Sequence, residues 1–122
     1  MTLQNFYEAI GGDYEKMLRL LSSEKFILKY VAKFPQDPTY QTLCDSLAQN
    51  DWKEAFRAVH TLKGLCLNLG FQNLLDSSIV LTELLRPEKA EIDGTAVDAA
   101  FARVRADYEA LIARIQVLLQ DS

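Results

Sequence analysis

The chain of 122 residues has the length of one compact domain and is too short for two ordinary ones. Apolar residues make up 49% of the sequence and charged residues 25%, a balance that excludes disordered and fibrous classes. The net charge of −4 argues against a general nucleic-acid coat or a binder of anionic membranes, because both need a basic surface. We therefore expect one domain over residues 1–122, without a nucleic-acid or membrane partner. A monomer is expected as well, although an exposed apolar patch could serve either a dimer or a transient partner.

Three short helices are predicted at the start of the chain, because apolar residues recur there every three or four positions between glycine and proline breaks. The first is expected over residues 3–10 and stops at the glycine pair that follows. Asp13 then caps a second helix, and either Ser22 or Ser23 caps a third. No alternating strand pattern of useful length occurs, so the sequence favours an all-helical chain.

A fourth helix and a long fifth helix are predicted in the middle of the chain. Pro38 suits the first turn of a helix over about residues 38–49. Asp51 can cap the long helix, which is expected over residues 52–69 and is closed by Gly70. This helix holds the only histidine of the sequence.

Two further helices are expected over about residues 71–86, where Pro87 ends the helix, and about residues 95–119, after a polar loop at 87–94. Several amphipathic helices with short connections are typical of an antiparallel helical bundle. The predicted fold is all-α: an antiparallel four-helix bundle with short additional N-terminal helices.

The two cysteines and the absence of sorting signals favour a cytoplasmic protein. Cys44 and Cys66 lie in apolar helical patterns without a CxxC pairing, which indicates reduced core thiols. The sequence contains no run of 18 apolar residues, so no membrane-spanning helix is expected. The N-terminus lacks the basic and apolar regions of a secretory signal.

The single histidine, His60, is predicted to lie on the exposed side of the long helix. At about 100° per residue, the core side of this helix is formed by Ala55, Val59, Leu62, Cys66 and Leu69. The neighbours of His60 on the helix surface are Lys53, Arg57, Lys63, Gly64 and Leu67. A lone histidine therefore stands in a small basic patch of an otherwise acidic chain.

These neighbours suit a histidine that accepts a phosphoryl group. Imidazole is mostly neutral near pH 7 and offers a nucleophilic ring nitrogen. Lys63 leans back along the flank of His60, where its ammonium would stabilise charge on the transferred group. A glycine inside a helix lowers its stability, and Gly64 lies on the side away from the core, where close packing does not require it. The best explanation is that Gly64 leaves room for a partner above the imidazole of His60.

The sequence His60-Thr61-Leu62-Lys63-Gly64, followed by a second glycine at Gly70, resembles the signature of histidine-containing phosphotransfer (HPt) domains. The glycine turn at residues 11–13, the turn at 50–52 and the helix end at 81–86 are also similar to that family. The resemblance extends from about residue 8 to residue 119.

The resemblance implies a four-helix-bundle phosphocarrier that relays phosphoryl groups between receiver-domain aspartates and has no kinase activity of its own. Carried over by position, His60 would be the phosphoacceptor, Lys63 would assist electrostatically and Gly64 would give access. The partners would be a response-regulator receiver domain, a hybrid histidine kinase, or both. The chain itself would need no cofactor or metal, because the Mg²⁺ belongs to the receiver. A basic rim of Lys53, Arg57 and Lys63 would complement its acidic pocket.

The chain departs from the family pattern after Gly64, where Leu65, Cys66 and Leu67 replace the usual small residues. Leu67 lies one heptad beyond His60 and is expected either to form an apolar docking contact, flanked by Phe56 and Phe71, or to pack against the short N-terminal helix.

Other functions fit the sequence less well. A helical interaction module that binds a receiver or kinase domain without phosphotransfer is the main alternative, but the presence of both His60 and Lys63 argues against it. A hydrolase with His60 as base lacks an evident nucleophile and oxyanion donors. One histidine with scattered acids does not favour a metal site.

Overall fold

Helices make up the regular secondary structure of residues 1–121, the part of the chain that the structure, a computed structural model, describes. Its α-helices, numbered α1 to α7, are Leu3–Ala9, Tyr14–Leu21, Glu24–Lys33, Thr39–Ala48, Trp52–Leu69, Gln72–Leu84 and Gly94–Gln120. A single 3₁₀ turn, Phe34–Gln36, follows α3. No strand occurs in this range, so the prediction of an all-helical fold is confirmed.

The helices begin where short polar side chains cap them. Asp13, Ser23 and Asp51 each accept a hydrogen bond from the backbone N–H three residues later, as the sequence predicts. Several boundaries differ from the prediction by one or two residues; α6, for example, is Gln72–Leu84 and ends before Arg86. Pro38 is the N-cap residue of α4 and not part of its first turn. Asp93 caps α7, so this helix begins one residue earlier than expected.

The long helices pack in chain order. α4 packs against α5, α5 against α6 and α6 against α7. Tyr40 of α4 also stacks on Tyr108 of α7, with ring centroids 3.7 Å apart and planes 4° apart. Each of the four helices therefore has two neighbours among the others, and their apolar faces meet in one core.

The short N-terminal helices cover one end of α5. The hydroxyl of Tyr7 in α1 donates a hydrogen bond of 2.8 Å to the carbonyl of Leu69, the last residue of α5. Gly12 approaches Gly70 so closely that a Cβ atom on it would lie 2.7 Å from the Gly70 carbonyl oxygen. The end of α5 is therefore held by residues about 60 positions away in the chain.

Candidate functional site

The long helix α5 presents His60 to solvent because its buried residues lie on another side. Ala55, Val59, Leu62 and Cys66 are all buried, as the helical period predicts, whereas Leu69 is only half-buried. Asp51 starts the helix, and Gly70, in the left-handed conformation with φ 73°, ends it. The side chain of His60 is exposed on the opposite face.

The imidazole of His60 has a different neighbour on each side along the helix. One turn towards the N-terminus, the ring of Phe56 lies with its centroid 5.9 Å from the imidazole centroid and its plane inclined by 19°. One turn towards the C-terminus is Gly64, where an added Cβ atom would meet nothing within 4 Å. The imidazole is therefore backed by an aromatic ring and is open above Gly64.

The predicted basic rim is exposed in part and accompanied by acidic groups. Arg57 is exposed and forms an ion pair with Glu54, with 3.7 Å between Nη1 and Oε2. Lys63 is half-buried. The hydrogen bond from Arg86 is the main reason why the pKa of Glu83 on α6 lies below its ordinary value, and the charge of Lys63 makes a smaller contribution. Lys53 is exposed. The acidic residues beside the rim reduce its positive potential.

Glu83 was not identified from the sequence as a neighbour of the site, because its approach depends on the register between α5 and α6. Its carboxylate accepts two hydrogen bonds of 2.8 Å from Arg86. The only sequence signal was the three-residue spacing of these two charges on one helix. Glu54, by contrast, can be read directly as the partner of Arg57 from the same spacing.

Leu67 is the most exposed of the three apolar residues that were predicted to contact a partner. Its side chain is 61% exposed, beside a cavity of about 260 Å³ at the turn between α1 and α2. Contact with the N-terminal helices therefore covers less than half of Leu67, which favours the docking interpretation. Phe56 is half-buried, and its ring lies beside the imidazole of His60.

The prediction that Phe71 contacts a partner is wrong. Phe71 is 1% exposed, and its ring packs edge to face against Phe6 and Phe34 at centroid distances of 6.2 and 5.0 Å. The chain leaves α5 through the left-handed turn at Gly70, and this turn directs the next side chain into the core. Phe71 is therefore a core residue that packs the start of α6 against α1 and the 3₁₀ turn after α3.

Neither cysteine thiol is suited to nucleophilic chemistry. Burial raises the pKa of the Cys66 thiol to about 12, so it stays protonated at neutral pH. Burial is also the main cause of the raised pKa of Cys44.

Residues 1–121 contain no group of three or more histidine, cysteine and acidic side chains that could hold a metal ion. None of their helices is long and apolar enough to cross a membrane.

An apolar groove lies beside the site but does not include His60. It has a volume of about 340 Å³ and is lined by side chains of α2, α3 and α5 together with the turn that follows α3. Asn68, on the stripe of α5 that carries His60 and Gly64, stands at its edge. The groove could not be predicted from the sequence because α5 lies far in the chain from α2 and α3, the other helices that line it.

Comparison with known proteins assigns the chain to a family. The family model for the Hpt domain matches residues 36–116, which include α4, α5, α6 and most of α7. No curated protein and no solved structure gives a significant match. The match begins later than residue 8, where the resemblance was expected to start, so α1 to α3 lie outside it. With two thirds of its length matched, and with its histidine exposed on the second of the matched helices, the chain belongs to the Hpt domain family.

Proposed function

We propose that this chain relays phosphoryl groups between receiver-domain aspartates through a phosphohistidine at His60. Hpt domains are phosphocarrier modules of two-component signalling and not kinases, and they interact with receiver and kinase domains. The observation that carries the proposal is the position of the only histidine, which is exposed on α5 with open space above Gly64.

The proposed transfer uses the ring nitrogen of a neutral imidazole as nucleophile. This nitrogen forms a bond to the phosphorus of the receiver's aspartyl phosphate while the bond from phosphorus to the aspartyl oxygen breaks. The aspartate leaves as a carboxylate, and the ring loses its remaining N–H proton to water. The reverse sequence returns the phosphoryl group to an aspartate. The Mg²⁺ that supports the step would be held by the receiver.

Lys63 and Gly64 would assist this step in different ways. The ammonium of Lys63, three residues beyond His60, would stabilise the negative charge on the phosphoryl oxygens. Gly64 leaves the space that the receiver's active site would occupy.

The docking surface that we propose surrounds His60. Its charged part consists of Lys53 and Arg57, which would face an acidic receiver pocket. Its apolar part is Leu67, which is 61% exposed. We further propose that α4 to α7 form the antiparallel four-helix bundle that supports this surface, and that residues 1–122 act as one monomeric, cytoplasmic domain.

The proposal can be tested by incubation with a phosphorylated receiver domain. We expect the chain to acquire acid-labile, base-stable phosphate, and His60→Gln to abolish it without changing the melting temperature, since the site is exposed. Thr61→Gln, at the adjacent exposed position, is the matched control and should be labelled like the wild type. Undiminished labelling of His60→Gln would refute the assignment. Binding of the receiver without labelling of the wild type would instead show a non-catalytic interaction module.

A further inference from the structure

We infer that Phe56 is a positioning residue for His60: its ring fixes the orientation of the imidazole and so sets the direction from which phosphoryl groups are accepted. This inference rests on the proposed function of His60. It gives Phe56 a role within the site that differs from the partner contact expected from the sequence.

The first support is the arrangement of the two rings. Their centroid distance of 5.9 Å and interplanar angle of 19° correspond to an offset-stacked aromatic pair. Helical side chains lean towards the N-terminus, so the imidazole of His60 is carried over the residue one turn before it. Phe56 is half-buried and packs against the core, which makes its ring a fixed surface for the exposed imidazole.

The second support is the lack of another fixed partner for the imidazole. Within residues 1–121, neither ring nitrogen of His60 forms a hydrogen bond to the chain, and the flanking Gly64 has no side chain. Two χ1 rotamers are common for a residue in a helix, and the χ2 angle of histidine has two broad minima. Without the phenyl ring, the imidazole would therefore distribute over about four orientations.

The stacked orientation is suited to the chemistry. Both ring nitrogens lie in the plane of the imidazole, so a ring against its face leaves the nitrogen lone pair accessible at the edge. Phe56 closes the N-terminal side, and the space above Gly64 remains open on the other. If only one of about four orientations is productive, loss of the phenyl ring should slow phosphorylation about two- to fourfold.

The inference is tested with Phe56→Leu and a second ring-less variant, Phe56→Met. Phe56→Tyr keeps the ring and should restore wild-type behaviour. Phe101→Leu makes the same change at a half-buried aromatic residue of α7 that stacks on Tyr40, so it controls for a general loss of packing. Melting curves identify any variant that does not fold.

Two measurements separate positioning from docking. In proton NMR spectra, the carbon-bound imidazole protons of His60 should shift when the phenyl ring is removed, and not in Phe101→Leu. Phosphoramidate serves as a small phosphoryl donor that needs no docking surface. In this reaction the imidazole nitrogen forms a bond to phosphorus while the phosphorus–nitrogen bond of the donor breaks. Ammonia leaves, and the ring N–H proton passes to water. Its reaction rate should fall two- to fourfold in the ring-less variants, while the Kd for the receiver stays unchanged.

The outcomes are distinct. Unchanged imidazole shifts and rates in both ring-less variants would overturn the positioning role. A weaker receiver Kd with an unchanged phosphoramidate rate would also overturn it, because Phe56 would then be a docking contact. Failure of the folded wild type to accept phosphoryl groups at His60 from either donor would overturn the proposed function itself.

Discussion

Substitution of Gly64 should raise stability while lowering activity. Gly64 lies inside the 18-residue helix α5, does not have a positive φ, and has nothing within 4 Å of an added Cβ. Gly64→Ala should therefore gain about 1 kcal/mol from helix propensity alone. With an unfolding entropy of about 2.1 cal/mol/K per residue, this gain corresponds to a rise in Tm of about 4 °C for 122 residues.

The loss of activity should grow with the size of the new side chain. Residues one turn apart have Cβ atoms about 5–6 Å from each other, and a side chain at position 64 would lean back towards His60. The methyl group of Gly64→Ala leaves most of the space free. The longer side chain of Gly64→Gln would occupy this space and keep the receiver's aspartyl phosphate from its proper position at His60. Because a small displacement of a reacting group lowers the rate strongly, we expect phosphotransfer from a receiver to slow about 10- to 100-fold.

The assay combines thermal melting with the rate of phosphotransfer from a phosphorylated receiver. Gly94→Gln is the matched control, because Gly94 is also in a helix with open space around its Cβ but lies in the first turn of α7. It should leave the transfer rate unchanged. Destabilisation of Gly64→Gln by several kcal/mol would show that the glycine serves packing. A wild-type transfer rate in the stable variant would refute the access argument.

Three further substitutions test other parts of the structure. Lys63→Ala should slow transfer about tenfold at moderate salt without lowering Tm, and an unchanged rate would make Lys63 an ordinary surface residue. Phe71→Ala should lower the free energy of unfolding by about 3–5 kcal/mol in urea titrations because its ring is buried against Phe34, and a loss below 1 kcal/mol would contradict that packing. Tyr7→Phe should lower it by about 1 kcal/mol, through the lost hydrogen bond to Leu69, and equal stability would show that water replaces this bond.

The helix that carries the site could be predicted from the sequence to the residue. Asp51 and Gly70 mark its ends by local chemistry, a side-chain cap and a left-handed turn, which need no knowledge of the rest of the fold. The exposure of His60 follows equally from the helical period, because the buried residues of α5 lie on one side. The ends of α5 and the exposure of His60 both depend on residues close in the chain, and the local sequence was sufficient to predict them.

The roles of the aromatic residues could not be predicted in the same way. Phe56 and Phe71 both flank the predicted surface, and helical periodicity does not apply to Phe71 because a turn separates it from α5. Its burial depends on Phe6 and Phe34, which come from elements far apart in the chain. The electrostatic interaction between Lys63 and Glu83 likewise depends on how α5 and α6 align. Such tertiary contacts leave no pattern in one sequence.

The helices before the family match contribute to the site by fixing the end of α5. The hydrogen bond from Tyr7 to the Leu69 carbonyl and the close approach of Gly12 to Gly70 both act within three residues of Leu67. A Cβ atom on Gly70 would also lie 2.7 Å from the sulfur of Met17 in α2. The relative position of Leu67 and His60 is fixed by α5 itself, since the two residues lie two turns apart on this helix. By holding the last turn of α5 against α1 and α2, the N-terminal helices keep that turn in place and so support the apolar part of the proposed docking surface.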